Sequence, residues 1–276
     1  MGKTVNSTLF RLETSSSWRS LYEEYNKTEI AYYLNQDLQI KEFVERFVEK
    51  CNFVLYDLKL RRSREKIELL IMYFKKPTSL KGNKKRNTLS SNDKLTLYTH
   101  RDFVRNLTES LLIALPKTLE VNTLIQCVNK NPNQLIYTRK HLKIFHAILF
   151  SLRRYNRDPD FSEFINLVLI LVSKKCSAKV FTNILASKLT ESKYHNKIFN
   201  FWQKALLICV ESIFSKIKGV KLVISGRING RPRSSVIKII AGSVPNQTLM
   251  TGIDYSESTS FTKNGTLGVS VLVCTG

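Results

Sequence analysis

The strongest chemical signal in this 276-residue sequence is a group of three arginines, Arg227, Arg231 and Arg233. They fall in the run GRINGRPRSS, where Gly226 and Gly230 allow close approach of one backbone to another while the arginines project. A guanidinium binds phosphate through a planar fork of N–H donors, which a lysine ammonium does not offer. The run therefore predicts a surface that binds phosphate groups.

Other basic residues lie in sequences that predict hairpins, loops or sheet positions. Charge in a connection between strands can reach phosphates without disturbing a core. Each phosphate contact releases counterions, so affinity for a polyanion should fall steeply with salt. Besides the three arginines, the candidates of this kind are Arg61, Arg62, Lys84, Lys85, Arg86 and Lys238.

The net charge of the chain indicates the class of its partner. Lysine and arginine exceed aspartate and glutamate by 22, and the pI is near 9.9. Such an excess favours a polyanion, either a nucleic acid or an anionic membrane surface. The long apolar run Phe164–Val172 is too short to span a hydrocarbon core of roughly 30 Å. We therefore predict a nucleic-acid partner and no membrane anchor.

Catalytic and metal-binding patterns are missing from the sequence. It has no Walker loop, no HExxH and no GxSxG, and its four histidines provide few candidate bases. Five cysteines are scattered without a CxxC pair, which argues against both zinc and a disulfide framework. We predict buried thiols in a reducing compartment, no cofactor, no metal and no enzymatic activity.

The N-terminal half has the patterns of a mixed α/β domain. Helical spacing is predicted over residues 17–50, and strands over 53–60, 66–74 and 119–128, with a polar loop at 75–93. A second helix begins near Thr99 and ends at Pro116. The apolar residues expected to face the core are Leu34, Leu38, Phe43, Phe47 and Cys51 on the first helix and Phe103, Leu107, Leu111 and Leu115 on the second.

The C-terminal half begins with helices and ends with strands. Two helices are predicted over 135–176, then a long helix or helix pair over 177–218, with Gly219 as its stop signal. Phe199, Phe201 and Trp202 could stack on bases, but we favour core packing. Four strands are predicted in the runs KLVISGRI, SVIKIIAG, TLMTGIDYSESTSFT and TLGVSVLVCT. The fold class is therefore α+β.

Both ends of the chain resemble one family. The opening MGKTVN with Arg11-Leu12, the run VNTLIQCVNKNP and, above all, VISGRINGRPRSS with Ile253-Asp254-Tyr255 occur in the order typical of the universal small-subunit ribosomal protein S-three. The order α-β-β-α-β is that of a type II KH domain. Because the family's opening coincides with Met1, we expect no leader peptide before it.

The resemblance implies a fold, a role and partners. It implies a degenerate KH-like domain over 1–134, a helical insertion over 135–176 and the C-terminal domain of the family over 177–276. The role would be that of a structural constituent of the small-subunit head near the mRNA entrance, binding small-subunit rRNA, mRNA and the S-ten and S-fourteen families. The resemblance adds Lys3, Arg11, Lys204 and Asn229 to the predicted RNA-binding residues.

Departures from the family suggest an organelle. The segment LTLYTHR before the second helix lacks the GxxG pair with which KH domains clamp a nucleic-acid backbone, and only Lys204 remains of the basic set at the mRNA entrance. The block at 135–176 is extra. With a composition typical of AT-rich genomes, these features favour a mitochondrial ribosome, the alternatives being a plastid or a bacterial cytoplasm.

Two other function classes compete with the ribosomal interpretation. An RNA-processing enzyme would require a cluster of acidic residues to hold a metal, and the sequence shows none. An RNA-binding regulator of the KH type outside the ribosome would require the GxxG loop. Both are therefore less favoured than a ribosomal protein.

Overall fold

The protein is described here as a computed structural model. The described residues are 5–14, 16–24, 26–51, 53–63, 66–75, 100–115, 120–128, 147, 150–152, 177–192, 195–211 and 217–275. The polar loop, the LTLYTHR segment up to residue 99 and nearly all of the predicted insertion lie outside them. The chain divides into two compact units, one of Met1–Ser17 with Lys130–Gly276 and one of Trp18–Asn129.

The Trp18–Asn129 unit contains the predicted succession α-β-β-α-β, preceded by a short strand that the sequence analysis did not predict. Its elements are β1 (Ser20–Tyr22), α1 (Glu29–Lys50), β2 (Phe53–Arg62), β3 (Lys66–Lys75), α2 (His100–Ala114) and β4 (Glu120–Cys127). The strands form one sheet in the order β1-β2-β3-β4. β2 and β3 are antiparallel, whereas β1 and β4 run parallel to their neighbours.

The two helices of this unit cover one face of the sheet. Their buried residues were predicted correctly for α2 and only in part for α1. All four predicted apolar residues of α2 and its end, from Phe103 to Leu115, are buried. On α1 the prediction was wrong for Leu34 and Leu38, which are exposed, since the buried face is formed by Ile40, Val44 and Val48. The buried face of α1 differs from the predicted face because Asp37 lies on the inner side of the helix, where its carboxylate pairs with Arg62 of β2.

The second unit is an α/β domain that includes the N-terminal segment. A short 3-10 turn at Leu9–Arg11 precedes the other elements, which are α3 (Ala178–Glu191), α4 (His195–Glu211), β5 (Ile217–Gly226), β6 (Ser235–Gly242), β7 (Gly252–Thr262) and β8 (Gly265–Thr275). The sheet order is β6-β5-β8-β7, and all neighbouring strands are antiparallel. The four predicted strands and the helix pair are thus confirmed.

The helices α3 and α4 cover one face of this sheet. Phe199, Phe201 and Trp202 are buried on α4, and the Trp202 ring stands edge-on to Phe181 of α3 at 4.8 Å. Core packing of these aromatics, which we favoured over base stacking, is confirmed. At the sheet, the Asp254 carboxylate of β7 accepts a 2.7 Å hydrogen bond from the backbone N–H of Ala178, which fixes the start of α3.

The helix stop predicted at Gly219 was wrong. α4 ends at Glu211, and Gly219 lies inside β5. A Cβ at this position would lie 2.4 Å from the carbonyl oxygen of Ser243, so the residue is glycine because two backbones meet there. A glycine after a helical pattern can thus mark a close contact between two backbones as well as the end of a helix.

Cys51, Cys127 and Cys274 are free thiols. Cys51 and Cys274 are buried, and Cys127 is half-buried. Burial raises the pKa of the Cys51 thiol, and it also raises the pKa of the Cys274 thiol despite the nearby positive charges of Lys218 and Arg11. Both thiols therefore stay protonated and poorly nucleophilic at neutral pH.

Gly226 offers a test of the turn that carries the arginines. Gly226 has φ +137°, and a Cβ there would lie 2.7 Å from the carbonyl oxygen of Thr266, whereas Gly265 has φ +127° and open space around it. Both Gly226→Ala and Gly265→Ala should lose about 1–3 kcal/mol from backbone strain. Gly226→Ala should lose more, because the steric clash is added. Thermal unfolding of the two variants measures the difference, and equal melting temperatures would contradict the close approach.

Candidate nucleic-acid interface

The arginine run connects β5 to β6 at one end of the C-terminal sheet. Arg227, Arg231 and Arg233 are all exposed, and none forms an ion pair with another described residue. The Nε of Arg227 donates a 2.8 Å hydrogen bond to the carbonyl oxygen of Arg231, which holds the turn closed. With respect to the described residues, the remaining guanidinium nitrogens of Arg227 and the forks of the other two arginines are available to an external anion.

The turn between β7 and β8 lies beside this connection. A Cβ at Gly230 would lie 3.6 Å from the side-chain nitrogen of Asn264, so the two connections are neighbours at the same end of the sheet. This turn presents Lys263, which is exposed. We define the basic corner as Arg227, Arg231, Arg233 and Lys263. Sequence reasoning missed Lys263, although the KNG turn signal and the hairpin order could have placed it there.

Asn229 attaches the arginine connection to α4. Its side-chain oxygen accepts a 3.1 Å hydrogen bond from the backbone N–H of His195, and its side-chain nitrogen donates a 2.7 Å bond to the side-chain oxygen of Asn196. Asn229 has φ +53°, a left-handed conformation that asparagine tolerates better than most residues. Its amide is therefore engaged inside the chain, and its role is to orient the basic corner.

Two of the predicted RNA-binding arginines are buried. Arg11 is 1% exposed and donates hydrogen bonds to backbone carbonyls of Ser7, Asn246, Thr248 and Thr251. Arg62 is also buried and pairs with other side chains of its own unit. Both guanidinium groups serve the fold, and we leave them out of the basic corner.

The remaining predicted residues are dispersed. Arg61 is exposed at the end of β2, Lys204 is exposed on α4, and Lys238 is exposed in the middle of β6. The loop residues Lys84, Lys85 and Arg86, and Lys3 at the N-terminus, lie outside the described residues. The structure thus brings together only the three arginines of the run, with Asn229 behind them.

Other kinds of site were sought in the same residues. Within the described ranges, no group of three or more histidine, cysteine, aspartate or glutamate side chains is placed to hold a metal ion. Among the helices that the structure describes, none is long and apolar enough to cross a membrane.

Comparison with known proteins identifies the domain that carries the basic corner. The family profile described as "Ribosomal protein S3, C-terminal domain" matches residues 199–273, which run from the second turn of α4 to Val273 in β8. This part of the chain is therefore similar to the C-terminal domain of ribosomal protein S3. The matched segment contains every residue of the basic corner and all of the four-stranded sheet except Cys274 and Thr275 at the end of β8.

The relatives that this chain matches come from several groups of organisms. "Small ribosomal subunit protein uS3" of Phytoplasma vitis is 30% identical over 115 residues, covering 40% of this chain and 46% of the relative. The protein of that name from Kosmotoga olearia is 41% identical over 59 residues, covering 21% and 27%. "Small ribosomal subunit protein uS3c" of Chlamydomonas moewusii is 44% identical over 62 residues, covering 22% and 8%. The chain spans about half the length of the phytoplasma relatives that it matches.

Proposed function

We propose that this chain is a structural constituent of the small ribosomal subunit and binds small-subunit rRNA through the basic corner. The observation that carries the proposal is that a domain similar to the C-terminal domain of ribosomal protein S3 displays three exposed arginines on one connection, and that none of them forms an ion pair with another described residue. The proposal assigns no catalytic step to the chain, in keeping with its family. It also requires no cofactor, because the interaction is electrostatic and made by side chains of the chain itself.

The geometry suits a phosphate backbone. Arg231 and Arg233 are exposed on a connection that Asn229 attaches to α4. Because the backbone of this connection is already held in place, it loses little conformational entropy when the guanidinium groups bind an RNA. Each exposed fork can take two oxygens of one phosphate. Contacts of this kind position an RNA without reading its sequence, as a structural rRNA-binding protein requires.

A finer location follows from the resemblance. We propose that the chain lies in the head of the small subunit near the mRNA entrance, beside proteins of the S-ten and S-fourteen families. Lys204, exposed on α4, would contact mRNA there. We further propose a mitochondrial ribosome, supported by the composition and the eroded KH loop, while the bacterial and chloroplast relatives leave the plastid and the bacterial cytoplasm as alternatives.

Sedimentation tests the ribosomal assignment. A tagged form of the chain, expressed in its own host, should migrate with the small subunit in a sucrose gradient and remain there in moderate salt. Its migration should change when the small subunit joins the large one. A chain that stays at the top of the gradient, or that migrates with a particle lacking small-subunit rRNA, would contradict the proposal.

The basic corner has its own prediction. The triple variant Arg227→Ala/Arg231→Ala/Arg233→Ala should weaken binding to small-subunit rRNA by about a hundredfold, taking roughly 1 kcal/mol for each lost charged hydrogen bond. The slope of log affinity against log salt should also become shallower, because fewer counterions are released. Filter binding across a salt series measures both quantities.

A matched triple variant controls for the loss of charge alone. Arg46, Arg101 and Arg105 are exposed arginines on the helices of the Trp18–Asn129 unit. Changing these three to alanine removes the same charge from a surface without a predicted RNA contact. Equal losses in the two triple variants would show that the corner has no special role.

A further inference from the structure

The open face of the C-terminal sheet has an arrangement that the rRNA surface does not explain. Strand register places three residues in a row across β6, β5 and β8, namely Lys238, Val223 and Ser270, and the row ends at Glu257 on β7. The next row runs from Ile240 through Lys221 to Leu272. Lysines and aliphatic side chains thus alternate in both directions at the β5–β6 side of this face.

This face is the one opposite the helices. Residues of alternate positions on the same strands, such as Leu222 and Ile239, are buried, and Ser256 of β7 contacts Thr182 of α3 at 3.0 Å between hydroxyl oxygens. On the open face, Val236 is 57% and Ile240 is 54% exposed, and Lys238 between them is exposed too. Exposed β-branched side chains grouped on one face mark a surface that another molecule covers.

The far end of the same face shows how such residues are covered elsewhere in the domain. Ile253, Leu272 and Cys274 are buried there in a small cluster, with Val244 packed against them. Val244 belongs to the connection between β6 and β7, and the N-terminal Arg11 is bonded to that same connection. The β5–β6 side of the face has no such cover among the described residues.

The chemistry of the patch selects a protein over an RNA. We propose that the face formed by Lys221, Val223, Val236, Lys238 and Ile240 docks an acidic, aliphatic segment of another protein of the small subunit. Valine and isoleucine offer neither a hydrogen bond to a base edge nor a planar ring on which a base could stack, so the aliphatic part of this face suits a protein segment better than an RNA base. The proposal rests on the ribosomal function proposed above.

Charge complementarity defines the occupant. Lys221 and Lys238 are the ionic groups at this side of the face, and the carboxylate of Glu257 at the far edge accepts a hydrogen bond from the Tyr255 hydroxyl. A partner segment with carboxylates between aliphatic residues would match the alternation, its apolar residues covering Val236 and Ile240 and its acids meeting the two lysines. Lys238, predicted from sequence to bind RNA, is thereby assigned to a protein interface.

Photocrosslinking in assembled particles tests the proposal. Ile240 is replaced by the photoreactive residue p-benzoylphenylalanine in the full chain, small subunits are isolated on a gradient, and the irradiated adduct is mapped by mass spectrometry. We expect an adduct with one small-subunit protein, at a segment that contains aspartate or glutamate. The probe placed instead at Ile113, which is 86% exposed on α2, should not give that adduct.

Charge reversal completes the test. Lys221→Glu/Lys238→Glu should lower the yield of the adduct by about tenfold, because like charges would meet across the interface. Lys41→Glu, on the exposed side of α1, should leave the yield unchanged. An adduct with rRNA, an adduct within the same chain, or no adduct from chains present in the small subunit would overturn the docking proposal alone. Absence of the chain from small subunits would instead overturn the ribosomal function and the docking proposal with it.

Discussion

Replacing Arg11 with alanine should destabilise the C-terminal domain by at least about 3 kcal/mol. The guanidinium makes four hydrogen bonds to backbone carbonyls, at 2.7 Å to Ser7 and at 2.9 Å to each of Asn246, Thr248 and Thr251. Alanine would leave these carbonyls without their charged donor and open a cavity in a buried site. The connection between β6 and β7 would lose its attachment to the N-terminal segment.

Hydrogen exchange and thermal unfolding of the full chain measure this effect. We expect amides near Thr251 to lose protection and the melting temperature to fall by several degrees. Arg11→Lys should recover only part of the loss, since one ammonium cannot replace a planar fork. Arg19→Ala is the control, because Arg19 is exposed and its 3.4 Å pair with Asp57 should contribute less than about 1 kcal/mol.

A different result would restore the sequence-based prediction for Arg11. If Arg11→Ala melted like the parent chain but bound rRNA more weakly, the guanidinium would be an RNA contact. The buried geometry predicts the reverse pattern, a lower stability with RNA affinity unchanged in the molecules that remain folded.

The second large effect concerns the buried ion pair of the Trp18–Asn129 unit. Arg62 on β2 donates to the Asp37 carboxylate of α1 at 3.2 Å and to the side-chain oxygen of Gln36, and its guanidinium lies 4.8 Å from the centre of the Tyr33 ring. The hydroxyl of Ser20 on β1 donates to the same carboxylate. Asp37→Ala should cost about 3–5 kcal/mol, because it leaves the Arg62 charge buried without its partner.

A double variant separates the pair from its packing. In Asp37→Leu/Arg62→Met both charges are gone, so the loss in stability should be smaller than for Asp37→Ala alone. Hydrogen exchange at β2 in the full chain follows the local stability. If the double variant lost as much as the two single variants together, the ion pair would contribute no coupling, and the explanation for the rotated face of α1 would fail.

The sequence predicted most helices and strands more accurately than it predicted strand pairing and side-chain contacts. β6 was predicted over the residues that it occupies, and the α2 face from Phe103 to Leu115 was correct, because these patterns are local and periodic. β1 was missed inside a predicted helix, since a three-residue parallel strand depends on pairing with Leu60–Arg62 rather than on its own pattern. Non-local pairing leaves little trace in a short segment.

The roles of the basic residues were harder to predict for the same reason. Arg11 looks like any charged residue in a polar segment, and three of its four acceptors lie 235 to 240 positions further along the chain. The three arginines near Gly226 were predictable as a group, because one short run contains both the turn and the charges. Lys238 is flanked by aliphatic residues in sequence, but only the strand register shows that Val223 of β5 lies opposite it.

The position of β8 has a consequence for synthesis of the chain. β8 pairs with β5 on one side and β7 on the other, yet it is made after every other strand of that sheet. When β5, β6 and β7 have been synthesised, one of the two central strands of the sheet is therefore still missing. The N-terminal residues 5–17 are made first, and Arg11 cannot form its hydrogen bonds to the β6–β7 connection until that connection has been synthesised. The Trp18–Asn129 unit contains all of its own strands and can fold while translation continues. A product that terminates before β8 would expose the unpaired edges of β5 and β7, which makes premature termination visible to chaperones and proteases.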